Sequence, residues 1–191
     1  MTIGNEKNRG YYKIRGASSA FNFDFRGKIV LDIGSSTGGF TDYALEKGAK
    51  KVIAIEKGTN QMRRPLRDDP RVELHEKTDI FDVNKIGESL DVIVADVSFI
   101  SLTKVLKHAK LNFADKSTDF LVMLKPQFEA RSDQLVNGVV KNERIRREII
   151  KGFEDWLKRN NFVIIKKRDN ELKGKTGNQE RFYWLRIAKK S

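Results

Sequence analysis

Cysteine is missing from the 191 residues, and only three prolines and two histidines occur. Without cysteine there is no disulfide framework, no disulfide-linked partner, no thiol nucleophile and no Cys-ligated zinc. His75 and His108 alone are too little for a histidine-rich metal centre or a Ser-His triad, so no metal is expected. So few prolines leave little room for a stiff linker, and neither an internal repeat nor a low-complexity tract is visible. No apolar run approaches the ~20 residues needed to cross a bilayer. The opening stretch MTIGNEKNRGYYKIRG lacks the apolar core of a signal peptide. A cytoplasmic protein with no membrane partner is the expectation.

What is present fits one folded domain: 39% hydrophobic and 34% charged residues on a chain of this length can bury a full core. The net charge of +12 is unevenly spread. Residues 1–30 carry six basic and two acidic side chains, residues 31–140 carry 16 and 17, and residues 141–191 carry 16 and 7. The middle is balanced and both flanks are basic, as a solvated surface or an electrostatic footprint for a polyanion would be.

Short β-branched runs alternate with helical patterns. Ile29–Ile33, Val52–Ile55, Val72–Leu74, Val92–Ala95, Phe120–Leu124, Phe162–Lys166 and Phe182–Ile187 read as strands, apolar and bounded by Gly, Asp or charge. Gly38–Lys47, Gln61–Arg67, Leu102–Lys110 and Glu143–Asn160 suit helices, the last with Ile145, Ile149, Phe153 and Trp156/Leu157 at three- to four-residue spacing. Residues 1–25 form a lead-in, irregular or helical, and residues 26–191 the domain. Alternation of helices with continuously apolar strands argues an α/β fold, a parallel sheet covered on both faces. Ligands then bind at the carboxyl ends of the strands, near the switch point.

The residues after each strand are therefore the candidates. The first strand enters Asp32-Ile33-Gly34-Ser35-Ser36-Thr37-Gly38-Gly39-Phe40. Its G-x-x-x-G-G spacing matches neither the dinucleotide nor the P-loop fingerprint, and Asp32 suits a cationic group better than a phosphate. The same residues would also serve a tight turn with Asp as a cap. Glu56 ends the second strand where a ribose diol is held in such units, although a solvated Glu fits there too. Asp79 after the third strand could meet an adenine amino group. Asp96 ends a strand before Val97-Ser98-Phe99-Ile100-Ser101, and Lys125 ends another before Pro126-Gln127-Phe128-Glu129. The two ends would face one crevice, as a structural ion pair or as a lysine taken out of water and prepared to activate a hydroxyl. Glu180 precedes the last strand, as a further carboxylate or an exposed strand-entry residue. Lys173-Gly174-Lys175-Thr176-Gly177 is a basic loop suited to phosphate or to solvent.

Taken together, LDIGSSTGGFTD, DDPRVELHEKTDI, DVIVADVSFISL, LVMLKPQFEA and GVVKNERIRREII resemble the TlyA family, ribosomal RNA 2′-O-methyltransferases also called hemolysin A and related to FtsJ-type enzymes. DVSFIS together with KPQFEA is the specific part of the match. The resemblance implies a Rossmann-like S-adenosylmethionine (SAM) methyltransferase fold, a seven-stranded, mostly parallel sheet with an antiparallel last strand. It implies that Gly34, Thr37, Gly38, Gly39 and Phe40 line the SAM pocket with Asp32 and Asp96 beside them, that Glu56 holds the ribose, and that Asp79 lies by the adenine. It implies RNA, ribosomal above all, as partner. Of the FtsJ-type Lys-Asp-Lys-Glu tetrad, Asp96, Lys125 and Glu180 match the last three members.

Two departures from the family pattern bear on activity. Members begin with an S4-like RNA-binding domain, for which this sequence leaves no room. The first tetrad lysine falls in a segment resembling Y-x-S-R-x-x-x-K-L. Aligned on Tyr12 and Arg15, that segment puts Ser19 at the lysine's place, with Lys13 and Arg15 as nearby cations that could substitute although neither is at the matching position. A catalytically weakened SAM- and RNA-binding module is the alternative these departures raise. A lytic activity, implied by the hemolysin name, is another, but no extended amphipathic or membrane-spanning segment supports it.

Overall fold

A computed structural model describes residues 7–174 and 177–188. Lys175 and Thr176 of the basic loop lie outside the described residues. The elements in chain order are α1 (Arg9–Phe21), β1 (Ile29–Ile33), α2 (Gly39–Glu46), β2 (Lys51–Ile55), α3 (Arg64–Arg67), β3 (Val72–His75), β4 (Val92–Ala95), α4 (Leu102–Asn112), β5 (Asp119–Leu124), α5 (Pro126–Glu129), α6 (Glu143–Arg159), β6 (Phe162–Asp169) and β7 (Arg181–Ile187). Single 3-10 turns follow β3, at Ile80–Asp82, and α5, at Ser132–Gln134.

The seven strands form one sheet in the order β3-β2-β1-β4-β5-β7-β6. β1 pairs in parallel with β2 and β4, and β7 runs antiparallel to both β5 and β6. The resemblance implied this fold. Chain order reverses between β1 and β4, so the loops after these two strands flank the switch point where doubly wound sheets bind ligands.

Strand alternation divides the core in two. Val30 of β1, Val92 and Val94 of β4 and Leu121 and Met123 of β5 pack with α1 and α2 through Tyr11, Ile14, Phe21, Phe40 and Tyr43. Leu31 and Ile33, Ile93, and Phe120 and Val122 pack with α4 and α6 through Val105, Leu106, Phe153 and Leu157 on the other face. Each such side chain, fully buried, contributes roughly 1.5–3 kcal/mol. Asp32, two residues after Val30, therefore points into the α1/α2 face.

The lead-in is structured and belongs to the core. Its helix α1 lays Tyr11, Ile14, Ala17 and Phe21 on the sheet, a spacing of three to four residues. Asn8 caps its first turn through Oδ1, which accepts Tyr11 N–H at 2.9 Å. Asn22, left-handed at φ 53°, ends it. Lys166 Nζ donates to the Phe21 carbonyl at 2.8 Å, a cation at the negative end of the helix.

Candidate active site

β1 delivers Asp32 to the switch point with no exposure to solvent. Its Oδ2 accepts the Thr41 hydroxyl of α2 at 2.7 Å, while Oδ1 has no hydrogen-bond partner. Burial, with the like charge of Asp96 adding to it, pushes this carboxyl up to about 7. The buried Ser35 hydroxyl beside it is likewise without a partner. Unmet acceptors at the floor of a cavity suit a cationic or N–H-bearing ligand group.

The glycine loop has a second purpose. Gly38 adopts φ 88°, and a methyl group there would fall 2.6 Å from the Leu66 side chain. At Gly39 an added methyl would overlap Asn8 Oδ1 and sit 2.6 Å from Tyr11 N. Gly39 thus lets the first turn of α1 rest directly on α2. Asn8 Nδ2 also donates to Thr37 Oγ1 at 2.8 Å, so α1 is seated on the loop after β1.

Two adjoining cavities open here. One, about 740 Å³, is lined by Gly34, Glu56, Asp79 and Ile80 among others. Glu56 receives Ser36 N–H on Oε2 at 2.8 Å and Gly58 N–H on Oε1 at 2.6 Å. Oε1 also accepts the Gln61 carboxamide N–H at 3.3 Å, so Oε2 is the oxygen with a lone pair left for a ribose hydroxyl. Asp79 caps the following 3-10 turn through Phe81 N–H and pairs with Lys57 Nζ at 2.9 Å. That ammonium, first among the causes, holds Asp79 below the usual carboxylate range. The other cavity, about 600 Å³, is lined by Lys13, Asp32, Asp96, Lys125 and Glu180. Gly34, Ser36, Asp96, Ser98 and Phe99 border both.

In the second cavity the charges come in pairs. Lys125 Nζ lies 2.6 Å from Asp96 Oδ1 and donates to Ser98 Oγ at 2.8 Å. Lys13 Nζ lies 2.5 Å from Glu180 Oε2, with side chains 8% and 3% exposed. Glu180 is held by the turn between β6 and β7, where its carbonyl accepts Asn170 N–H. Below that turn Asp169 accepts from both Arg146 and Arg181.

This geometry corrects the expectation for Ser19. Ser19 sits exposed near the far end of α1, whereas Lys13 reaches the carboxylate. The signal was present in the sequence: Asn8-Arg9-Gly10-Tyr11-Tyr12-Lys13-Ile14 fits S-R-x-x-x-K-L six residues upstream of the register set by Tyr12 and Arg15. The remaining expected residues separate by place. Asp32, Gly34, Thr37, Gly39, Phe40, Asp96, Lys125 and Glu180 border the second cavity, and Glu56 and Asp79 the first. Gly38 borders neither, and the Phe40 ring is buried against Phe182. Phe99, 92% exposed at the rim of both cavities, drew no notice as part of an apolar run.

A family model described as FtsJ-like methyltransferase matches residues 7–187. The 16S/23S rRNA (cytidine-2′-O)-methyltransferase TlyA of Mycobacterium tuberculosis is 37% identical over 181 residues, which cover 93% of this chain and 67% of that protein. Hemolysin A of Brachyspira hyodysenteriae is 39% identical over 174 residues, 88% of this chain and 71% of that protein. A solved Lactococcus lactis protein bearing the hemolysin name superposes with a TM-score of 0.88 at 32% identity, covering 94% of this chain and 87% of that one. The match extends over nearly all the described elements, the glycine loop and both charge pairs, and the chain belongs to the TlyA-type, FtsJ-like family of SAM-dependent methyltransferases.

Proposed function

We propose that this chain transfers a methyl group from SAM to a ribose 2′-hydroxyl of RNA, ribosomal RNA being the substrate the named relatives favour. The observation that carries the reading is the pair of lysine–carboxylate contacts, Lys125–Asp96 and Lys13–Glu180, lining one cavity. SAM supplies an electrophilic methyl on a sulfonium together with a cationic amino group. Asp32 Oδ1 and Ser35 Oγ are the unmet acceptors for that amino group, and Glu56 is placed for the ribose. The Lys125 ammonium, positioned by Asp96 and Ser98, stabilises the negative charge on the 2′-oxygen as that oxygen bonds the methyl, the methyl–sulfur bond breaks and the hydroxyl proton leaves to water, while Lys13 and Glu180 complete the lining of the same cavity. Near-attack placement, about 3 Å between reacting atoms, provides much of the rate. Incubation with ribosomal subunits and labelled SAM, followed by mapping of the modified position, tests the reading; methyl recovered on a base or on protein would refute it.

The weakened-module alternative rests on Ser19 and on the missing S4-like domain; the contact of Lys13 with Glu180 speaks against the first of these, and the labelled-transfer assay decides the rest. As for the lytic alternative, no helix among the described residues is long and apolar enough to cross a membrane.

Asp32 gives the cofactor reading a pH signature. Above about 7 its carboxylate is charged and attracts an ammonium; below, it is neutral. SAM affinity measured by calorimetry should fall as pH drops from about 8 to 6, and Asp32→Asn should bind weakly and lose that dependence. Without ligand the sign reverses. The folded value lies above the ordinary 3.8, so the ligand-free chain loses stability as pH rises through that interval. Asp32→Asn should then melt above the unsubstituted chain at pH 8, with a smaller gap at pH 5; a lower melting point at pH 8 would contradict the burial penalty.

RNA contact is expected along α1. The helix contains no acidic residue, and its outer face exposes Arg9, Tyr12 and Arg15, with the Arg15 guanidinium 4.8 Å from the Tyr12 ring centre. Aromatic and guanidinium planes suit unpaired bases and phosphates. Arg15→Ala should weaken RNA binding and lower the slope of log affinity against log salt by roughly 0.7–0.9. An unchanged slope would place the RNA elsewhere.

A further inference from the structure

The two segments that make the family match specific, residues 96–101 and 125–130, are joined by a carboxylate that takes no part in the chemistry above. Glu129, the last residue of α5, accepts Leu102 N–H on Oε1 and the Ser101 hydroxyl on Oε2, both at 2.6 Å. Ser101 is the N-cap of α4, so this carboxylate lies where a helix favours negative charge. The other end of the same loop is held by Lys125, through Asp96 and Ser98.

Between these anchors stands Phe99, at φ 63°. A bulky residue in the left-handed region costs about 1–3 kcal/mol and persists only where its surroundings impose it. Its ring lies outward, 5.1 Å from the Phe128 ring centre on α5. Phe99 and Ser98 border both cavities, so the loop lies where the two cavities meet.

We propose that Glu129 is a positioning residue, whose carboxylate fixes the α4 end of the 97–101 loop so that Ser98 stays on Lys125 and Phe99 stays where the two cavities meet. Its kinetic consequence rests on the proposed methyl transfer, whereas its structural consequence rests on the contacts alone. Glutamine at this position retains both links, because Oε1 still accepts from Leu102 and the rotatable Ser101 hydroxyl can accept from the carboxamide. Alanine retains neither.

The test compares Glu129→Ala and Glu129→Gln by amide hydrogen exchange, SAM calorimetry and steady-state methyl transfer to RNA. In the alanine variant, exchange over residues 97–102 should quicken about tenfold or more. Its kcat should fall by a similar factor, with SAM affinity within about threefold and RNA KM little changed. The glutamine variant should recover most of both losses. Unchanged exchange in the alanine variant would overturn the proposal, as would a kcat loss matched by the loss of folded protein or a glutamine variant no better than alanine. If the alanine variant does not fold, Ser101→Ala removes one anchor alone and is read by the same outcomes. Should the unsubstituted protein methylate no RNA while loop exchange still responds to Glu129, the reaction assignment fails and the positioning role stands.

Discussion

Lys125→Met is expected to lower methyl transfer by roughly 10²–10⁴-fold while leaving SAM affinity within a small factor. Methionine keeps the aliphatic length of the stem and removes the ammonium. Asp96 then loses its ion pair at 2.6 Å and Ser98 the donor at 2.8 Å, but both border open cavities and can be rehydrated, so the fold should suffer little. The unmet acceptors proposed for the cofactor's amino group, Asp32 Oδ1 and Ser35 Oγ, are untouched. The substitution therefore separates binding from chemistry. Calorimetry paired with single-turnover transfer makes the measurement, and a rate within tenfold of the unsubstituted protein would remove Lys125 from the reaction.

The second large effect is expected at Lys13 and Glu180, on stability first. Both side chains are buried, and removing one partner strands a charge in the core, at a cost of about 3–5 kcal/mol. For a chain of this size that corresponds to a fall of roughly 10 °C in melting temperature. Lys13→Met and Glu180→Gln should each show it, and the double variant should melt above either single one, because no lone charge remains. The regained fold should not regain transfer, since the cavity wall has lost both charged groups. A double variant as active as the unsubstituted chain would reduce the pair to a structural contact.

Much of the scaffold could be read from residue pattern because the central strands are buried on both faces. The expected limits of β1 and β4 match the observed ones, and those of β2, β3 and β5 lie within a residue. The pattern weakens where burial does. β6 continues past Lys166 to Asp169 as an edge strand with charged, exposed positions and an irregularity between Ile164 and Lys166. α3 is shorter than expected, starting at Arg64 ahead of Pro65, and Gln61 is spent on the Ser36 hydroxyl. The lead-in reads as either irregular or helical because glycines, serines and cations interrupt a stripe of only four apolar residues in α1. Without a settled helix there was no reason to prefer the register of Arg9 and Lys13 over that of Arg15 and Ser19. That Asp96, Lys125 and Glu180 meet at one cavity was legible because the first two follow β4 and β5 and the third precedes the antiparallel β7. Glu129 was not, since its role depends on a helix terminus that lies nearby only in three dimensions.

The contact between Lys13 and Glu180 joins the earliest described helix to the turn entering the last described strand. β7 inserts between β5 and β6, so the sheet closes only when that strand arrives. As a chain leaves the ribosome from its amino end, α1 can settle on α2 long before the opposite carboxylate has been made. The crevice consequently comes into being only once β7 has been made, and a partly made chain with its glycine loop already formed would still lack one side of the site. Synthesis through β7 is thereby a condition of competence, enforced by strand order.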